Sequence, residues 1–531
     1  MKKIKELFVQ NKKEILLNTA ALFGAVLIVV GVFLFWGERK VIWFCDELYS
    51  YFTANSAYAI GPRLDYGVWY DSQFVVDDMT PDQGRYFFRT RHNVRSDDHP
   101  PIYFLTMHFV SLLSNGSISK WVGLSINLIC VIGVCIFAYL IFYFVTKRKV
   151  VSALAAIALC ILPSMLTNAM LIRMYCMMTA WAVVFVFLSY LVLMKNDMTK
   201  RSRVFLYPAL AVVTAMGFLT QYYFAIFAVG FTICATIYCI CKKNWKIIGL
   251  YIASMVGAVG LATILWPDWI TQLFYRYCGE EVFAQAANFS QIFKEIKFGL
   301  TCMPKLMFYD FDIVGMVLIV AGYIFLVWKK DEKLPIISFI IGGGLFYSLV
   351  VAHVTPAFYL DYRYFYMITG VTYIGVLLIF IRCLLYIPKE KIQNVGVLLG
   401  VVVIVVFNLA TAAFNKDSIG YIDRSGEYNR KRAALEEYKE LPWVVFGYEN
   451  WTLMETYYDL ALGSRFVVYS DAVPMVANKC AGEGEDYLLF LNNSMYSNEE
   501  LLEFVQVYGG CEHEIEHLFD KCSSIYIVRH K

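Results

Sequence analysis

The sequence predicts an all-α polytopic membrane bundle carrying a small external α/β domain. Of the 531 residues, 59% are hydrophobic, and mean hydropathy is +0.56. Soluble chains are only about half apolar and lack apolar runs of about 20 residues, which recur throughout this one. Lysines and arginines gather beside alternate runs, as cytoplasmic loops require. Backbone in hydrocarbon must satisfy its own hydrogen bonds, so the runs are helices. The formal net charge of +3 gives no basic surplus for nucleic acid, and the 17% aromatic content suits interfacial belts.

About eleven spans are expected: 15–36, 119–146, 150–166, 172–194, 203–220, 222–241, 246–266, 313–328, 334–353, 365–387 and 393–413. Lys2, Lys3, Lys5, Lys12 and Lys13 precede the first. Basic clusters follow the second (Lys147, Arg148, Lys149), fourth (Lys200, Arg201), sixth (Lys242, Lys243), eighth (Lys329, Lys330) and tenth (Lys389, Lys391). All share one side if the N-terminus is cytoplasmic; Arg39 and Lys40 oppose this but are outweighed. The first run is too long for a signal peptide and lacks a small-residue cleavage site. The expected location is the plasma membrane, multi-pass, with the C-terminal part external.

Three segments are then external: loops 37–118 and 267–312, and a domain over 414–531, leaving 1–413 as the transmembrane domain. The apolar stretch 100–114 spans about 22 Å as a helix, too short to cross, and reads as interfacial. In 414–531, buried-strand patterns at 443–448, 465–470, 486–492 and 524–528 alternate with helical ones at 451–462 and 497–509, suggesting an α/β layer with some parallel pairing. No glycine-rich phosphate loop opens these helices, so no nucleotide site is expected. Cys278–Cys302 and Cys511–Cys522 are the candidate disulfides.

The external loops and outer helix ends collect polar groups that lipid would not tolerate. They are Asp46 and Glu47; Asp97, Asp98, His99 and Tyr103 in "DDHPPIY"; Arg173 and Tyr175; Gln221, Tyr222 and Tyr223; and His353, Asp361, Arg363 and Tyr364. Ionisable groups near hydrocarbon are costly and point to function. Carboxylates beside arginines suit chemistry on an anionic lipid-linked substrate. The residues alone also admit plainer readings. Asp46 and Glu47 can open an amphipathic surface helix. Asp97, Asp98 and His99 can ligate a divalent cation. Arg173 can snorkel to headgroups, Arg363 can pair with Asp361, and Gly342–Gly344 can serve close helix packing.

"CDELYSYF", followed about fifty residues later by "DDHPPIYFLTMHF", resembles the first loop of the C-type (GT-C) polyprenyl-phosphate-sugar-dependent membrane glycosyltransferases. That superfamily includes the protein O-mannosyltransferases and the aminoarabinose transferases. "LIRMY" resembles its Arg-x-Tyr element, "TQYYF" its Thr-His-Tyr turn with Gln221 in the His position, and "DYRYFY" its late Arg-Tyr element. The likeness covers about 1–413; the C-terminal domain matches nothing nameable.

The resemblance implies an inverting transfer of a sugar from a polyprenyl-monophosphate donor to a cell-envelope acceptor, be it glycan, lipid or protein. It implies no nucleotide and no metal cofactor. Asp46 is the expected base and Glu47 its or the acceptor's positioner. Arg173 and Arg363, with Lys294, Lys297 and Lys305 as weaker candidates, would hold the donor phosphate. Asp98, His99, Tyr103, Tyr175, Gln221, Tyr222 and Tyr364 would line the substrate site. The competing classes are a lipid-linked oligosaccharide polymerase or ligase, and a non-catalytic flippase. A carrier should show repeated halves and polar groups at mid-membrane, and neither is evident.

Overall fold

In the computed structural model, residues 2–530 are described except 82–86, 115, 195–199, 357–359, 447–449, 470–484, 492–498, 500–512 and 522. Among them, nine helices are long and apolar enough to cross a membrane, and a bent pair makes a tenth. The pair is Lys149–Cys160 and Pro163–Met170, broken by 58°. Pro163 opens the second helix at a position where its missing N–H costs nothing. Lys200–Phe218, over the fifth expected span, is a further, shorter apolar helix. Ile102–Ser111 is a helix of 10 residues, as the short apolar stretch predicts.

The chain divides into two compact units. The first comprises 1–38, 98–103 and 124–420. Phe224–Cys241 packs antiparallel on Leu334–Val354, whereas Lys200–Phe218 runs parallel to Trp245–Leu265 and Lys149–Cys160 parallel to Glu390–Phe414, with Arg148 bonded to Gln393 at one end and Asn408 to the Ala158 carbonyl at the other. Helix Arg363–Leu384 is central, touching Leu334–Val354, Tyr175–Met194 and Pro163–Met170, and most of its residues are buried. The glycine run at 342–344 is what lets these helices approach. A Cβ on Gly344 would fall 2.1 Å from the Thr372 hydroxyl, so any side chain would force the helices apart.

The second unit comprises 39–97, 104–123 and 421–531. Its core is a mixed sheet of six described strands: β1 (Trp69–Asp71), β2 (Pro442–Phe446), β3 (Arg465–Val468), β4 (Tyr487–Leu491), β5 (His513–Lys521) and β6 (Ser523–His530), in the order β1-β3-β2-β4-β6-β5. β2 runs parallel to β3 and β4, and the outer pairings are antiparallel. All five residues of β2 and of β4 are buried, which is why they read as continuous apolar runs rather than alternating ones. The four expected strands are present. β5 was not expected, because His513, Glu514, Glu516 and His517 give it a polar edge-strand composition. β1 was not expected either: the first loop lends three residues to the sheet edge, pairing Tyr70 with Phe466. Helix Asn450–Leu460 matches one expected helix; the other, 497–509, lies almost wholly outside the described residues. Cys302 is a free, buried thiol, and the side chains of Cys278, Cys511 and Cys522 are not described.

Candidate functional site

In the second unit, Asp46 and Glu47 lie in the first turn of helix Cys45–Asn55, where carboxylates complement the N-terminal dipole. Their environments differ. Glu47 is fully buried; its carboxylate takes both Lys40 Nζ (2.8 and 2.9 Å) and the Phe44 N–H (2.8 Å). Lys40, also buried, donates to the Ile42 carbonyl at 2.8 Å and lies 5.6 Å from the Tyr421 ring centroid. Burial pushes the Lys40 ammonium below the usual lysine range, against the opposing pull of Glu47. Asp46, by contrast, is half-buried. Beside it, burial and then the neighbouring Cys45 and Asp46 push the Tyr49 phenol up to about 12.

The helix behind this pair is clamped. Tyr51 Oη donates to the Ser119 carbonyl at 2.6 Å, Asn55 Nδ2 to the Met79 carbonyl at 3.0 Å and Ser111 Oγ at 3.1 Å, and His108 Nδ1 lies 3.0 Å from the Ala54 carbonyl. Leu48 and Phe52 are fully buried beneath it. A rigid helix therefore carries one locked carboxylate and one that keeps access to solvent.

In the first unit, residues 171–174 are a non-helical break before helix Tyr175–Met194. Asn127 Nδ2 satisfies the carbonyls of Ala169 and Leu171 at 2.9 and 2.8 Å, which stabilises the break in an apolar bundle. Arg173 projects from it, only 4% exposed, with Nη2 3.2 Å from His99 Nε2. A guanidinium only donates, so His99 Nε2 accepts in this contact. The His99 backbone is held in turn: Gln272 Nε2 donates to its carbonyl at 3.3 Å, while Gln272 Oε1 accepts from Tyr222 Oη at 2.6 Å and Trp266 Nε1 at 2.9 Å. Ile102 N–H donates to the Leu219 carbonyl at 3.1 Å, tying the "HPPIY" segment to the turn that carries Gln221, itself buried.

Arg363 opens helix Arg363–Leu384, 4.0 Å from Asp361 and with its guanidinium carbon 5.2 Å from the Tyr364 ring. Tyr364 lies edge-on to Tyr175 (centroids 6.4 Å) and near Tyr223 (5.8 Å), and its carbonyl accepts from Tyr347 Oη at 2.6 Å. This tyrosine cluster joins the Arg173 break to the Arg363 helix start. His99, Arg173, Tyr175, Tyr222, Tyr364 and Arg363 are thus gathered in one unit. Asp98 is half-buried and Tyr103 fully buried in the same segment as His99. Lys294, Lys297 and Lys305 stand on the exposed face of helix Ile292–Phe308. His353 is committed elsewhere, with Nδ1 2.7 Å from the Glu295 carboxylate and Nε2 3.1 Å from the Ala286 carbonyl.

Gln272 is the residue that sequence reasoning missed. Nothing in a lone Gln of a loop signals a hub, although the aromatics around it, Trp266 and Trp269, hint at an ordered turn. Among the described residues, no three His, Cys, Asp or Glu side chains are grouped to hold a metal ion.

No protein-family model and no curated protein matches the chain by sequence. Solved structures do. The crystal structure of ArnT from Cupriavidus metallidurans bound to undecaprenyl phosphate aligns at a TM-score of 0.54 and 10% identity, over 96% of this chain and 97% of that one. The apo state of the same protein aligns at 0.48 and 11% identity, over 95% and 98%. The archaeal oligosaccharyltransferase AglB from Archaeoglobus fulgidus, in complex with an inhibitory peptide and a dolichol-phosphate, aligns at 0.47 and 12%, over 89% and 69%. The chain therefore has the GT-C fold of ArnT along nearly its whole length, the fold that its Asp-Glu and His-Pro-Pro elements predict.

Proposed function

We propose that this protein transfers a sugar from a polyprenyl-monophosphate donor to a hydroxyl-bearing cell-envelope acceptor at the outer face of the plasma membrane. The observation that carries the reading is the burial of a permanent cation, Arg173, at a helix break, held against His99 and joined through Tyr175 and Tyr364 to Arg363. A guanidinium so placed suits a phosphate dianion, which it can grip with two parallel hydrogen bonds. ArnT, which shares the fold, was crystallised bound to undecaprenyl phosphate.

In the proposed step the acceptor oxygen attacks the anomeric carbon, and the bond from that carbon to the phosphate oxygen breaks. Asp46 takes the hydroxyl proton; the lipid phosphate leaves with the electron pair, its new charge met by Arg173 and Arg363. A single displacement inverts the anomeric centre. The Lys40 pairing and the Phe44 N–H leave Glu47 no free role as base, so in this reading Glu47 fixes the helix start from which Asp46 projects. His99 and Gln272 hold Arg173 and its surroundings in place. The donor phosphoester supplies the driving force, so no nucleotide enters the step.

The deciding experiment is to identify the lipid that co-purifies with the chain and supply it to purified protein. A polyprenyl monophosphate bearing one sugar, consumed with release of polyprenyl phosphate, supports the reading, and EDTA should leave the rate unchanged. A pyrophosphate-linked oligosaccharide, or lipid movement without bond cleavage, would replace it.

A further inference from the structure

Three helices of the first unit line two hollows of different chemistry, which together form a slot whose polar end includes Tyr362 and Tyr366, on either side of Arg363 in the chain. At the end where Asp312–Trp328 and Arg363–Leu384 begin and Glu390–Phe414 finishes, a polar cavity of about 450 Å³ is lined by Lys305, Tyr309, Asp310, Asp312, Tyr366 and Asp417. Further along the same helices, an apolar groove of about 620 Å³ is lined by Gly315, Leu318, Tyr373, Phe380, Val403 and Phe407 among others. Tyr366 belongs to the cavity and Tyr373, two turns on, to the groove. From Tyr373 to Leu384, the last groove residue of its helix, the chain rises about 16 Å, a large share of a bilayer leaflet.

Two features show that the slot is built. Tyr309, which lines the cavity and donates to the Ser418 carbonyl at 3.1 Å, has φ +52°, a conformation that costs a non-glycine residue free energy and clusters at functional sites. At the groove, a Cβ on Gly315 would fall 2.3 Å from the Phe308 ring, so only glycine lets that ring lie across the helix.

We infer that this slot binds a second membrane lipid, one whose headgroup carries hydroxyls and no phosphate. The apolar groove takes a hydrocarbon tail. The cavity above it sets three aspartates against one lysine, which repels a phosphodiester headgroup. Carboxylates accept from sugar hydroxyls, and the tyrosines offer faces and phenols to a sugar ring. A glycolipid satisfies both halves. That this lipid is the sugar acceptor rests on the transfer reading above; its binding does not.

The test is retention of lipid by the full chain. Protein reconstituted in nanodiscs of phosphatidylglycerol containing monoglucosyl diacylglycerol is stripped with detergent, and bound lipids are counted by native mass spectrometry. The glycolipid should be retained over phosphatidylglycerol by about tenfold or more after correction for input. Ala321→Phe, which fills the groove, should abolish that retention; Val403→Trp fills it from the opposite helix should the first variant fail to fold. Asp312→Asn with Asp417→Asn should lose the preference and keep the tail. Asp46→Asn should retain lipid as the wild type does, which separates failure of the slot from failure of the transfer reading. Equal retention of the two lipids, or glycolipid retention unchanged in both groove-filling variants, would overturn the inference.

Discussion

Arg173 Nη2 lies 3.2 Å from His99 Nε2, joining a helix break in the bundle to the "HPP" segment. A buried guanidinium needs acceptors, and a neutral imidazole supplies one without cancelling the positive charge. Arg173→Ala should therefore lower sugar transfer by roughly 10²–10³, the cost of losing one preorganised contact to developing charge. Arg173→Lys should recover little, because a point charge cannot reproduce the planar fork. Single-turnover rates with the co-purified donor check both.

Asp46 and Glu47 are neighbours with separable effects. Asp46→Asn removes the half-buried carboxylate and should cut the rate by about 10²–10⁴ while lowering the melting temperature only slightly, by the lost interaction with the helix N-terminus. Glu47→Gln keeps an acceptor for the Phe44 N–H but weakens the Lys40 pairing. Its signature should be a lowered melting temperature together with a smaller loss of rate. If Glu47→Gln proved the more damaging to turnover with stability intact, the two roles would have to be exchanged.

The Lys40–Glu47 pair predicts a further asymmetry. Lys40→Met strands a fully buried carboxylate and should cost about 3–5 kcal/mol of stability, whereas the double variant Lys40→Met, Glu47→Gln should recover much of it. The pH dependence follows from the depressed Lys40 pKa. Between that folded value and the ordinary one near 10.5, the unfolded chain binds more protons, so Lys40's contribution to stability rises with pH across the window and is constant below it. Thermal melts of wild type and Lys40→Met from pH 8 to 10.5 should show a stability difference that grows with pH.

Much of this was legible from the residues, and for identifiable reasons. Long apolar runs declare membrane helices because lipid permits no other spanning segment of that length. The strands at 442–446 and 487–491 declared themselves through unbroken apolar runs buried on both faces. β1 and β5 did not, since an edge strand needs no apolar pattern and β1 is defined only by a partner nearly 400 residues away. At the site, Arg173 and His99 stood out because charge near lipid is costly. Their mutual contact, and the unlike environments of two adjacent carboxylates, are long-range facts that spacing does not encode. The break at 171–174 gives no proline or glycine signal; it exists because Asn127, some 45 residues earlier, takes its carbonyls.

Gln272 offers the sharpest test of a positioning role. One buried amide accepts from Tyr222 and Trp266 and donates to the His99 carbonyl, so it ties the "TQYYF" turn to the segment that meets Arg173. Gln272→Leu deprives three buried polar groups of this partner, each at a cost of about 1–3 kcal/mol, and should lower the melting temperature. Gln272→Glu keeps acceptor oxygen for Tyr222 and Trp266 but removes the donor to His99, placing lone pairs against a carbonyl instead. Being the smaller change in shape, it should preserve more stability while displacing His99. If Gln272 acts through His99, Gln272→Glu should lower kcat with KM for the donor little changed, and should weaken the effect of a second change, His99→Ala. Fully additive losses in that double-mutant cycle would show that Gln272 supports the fold alone.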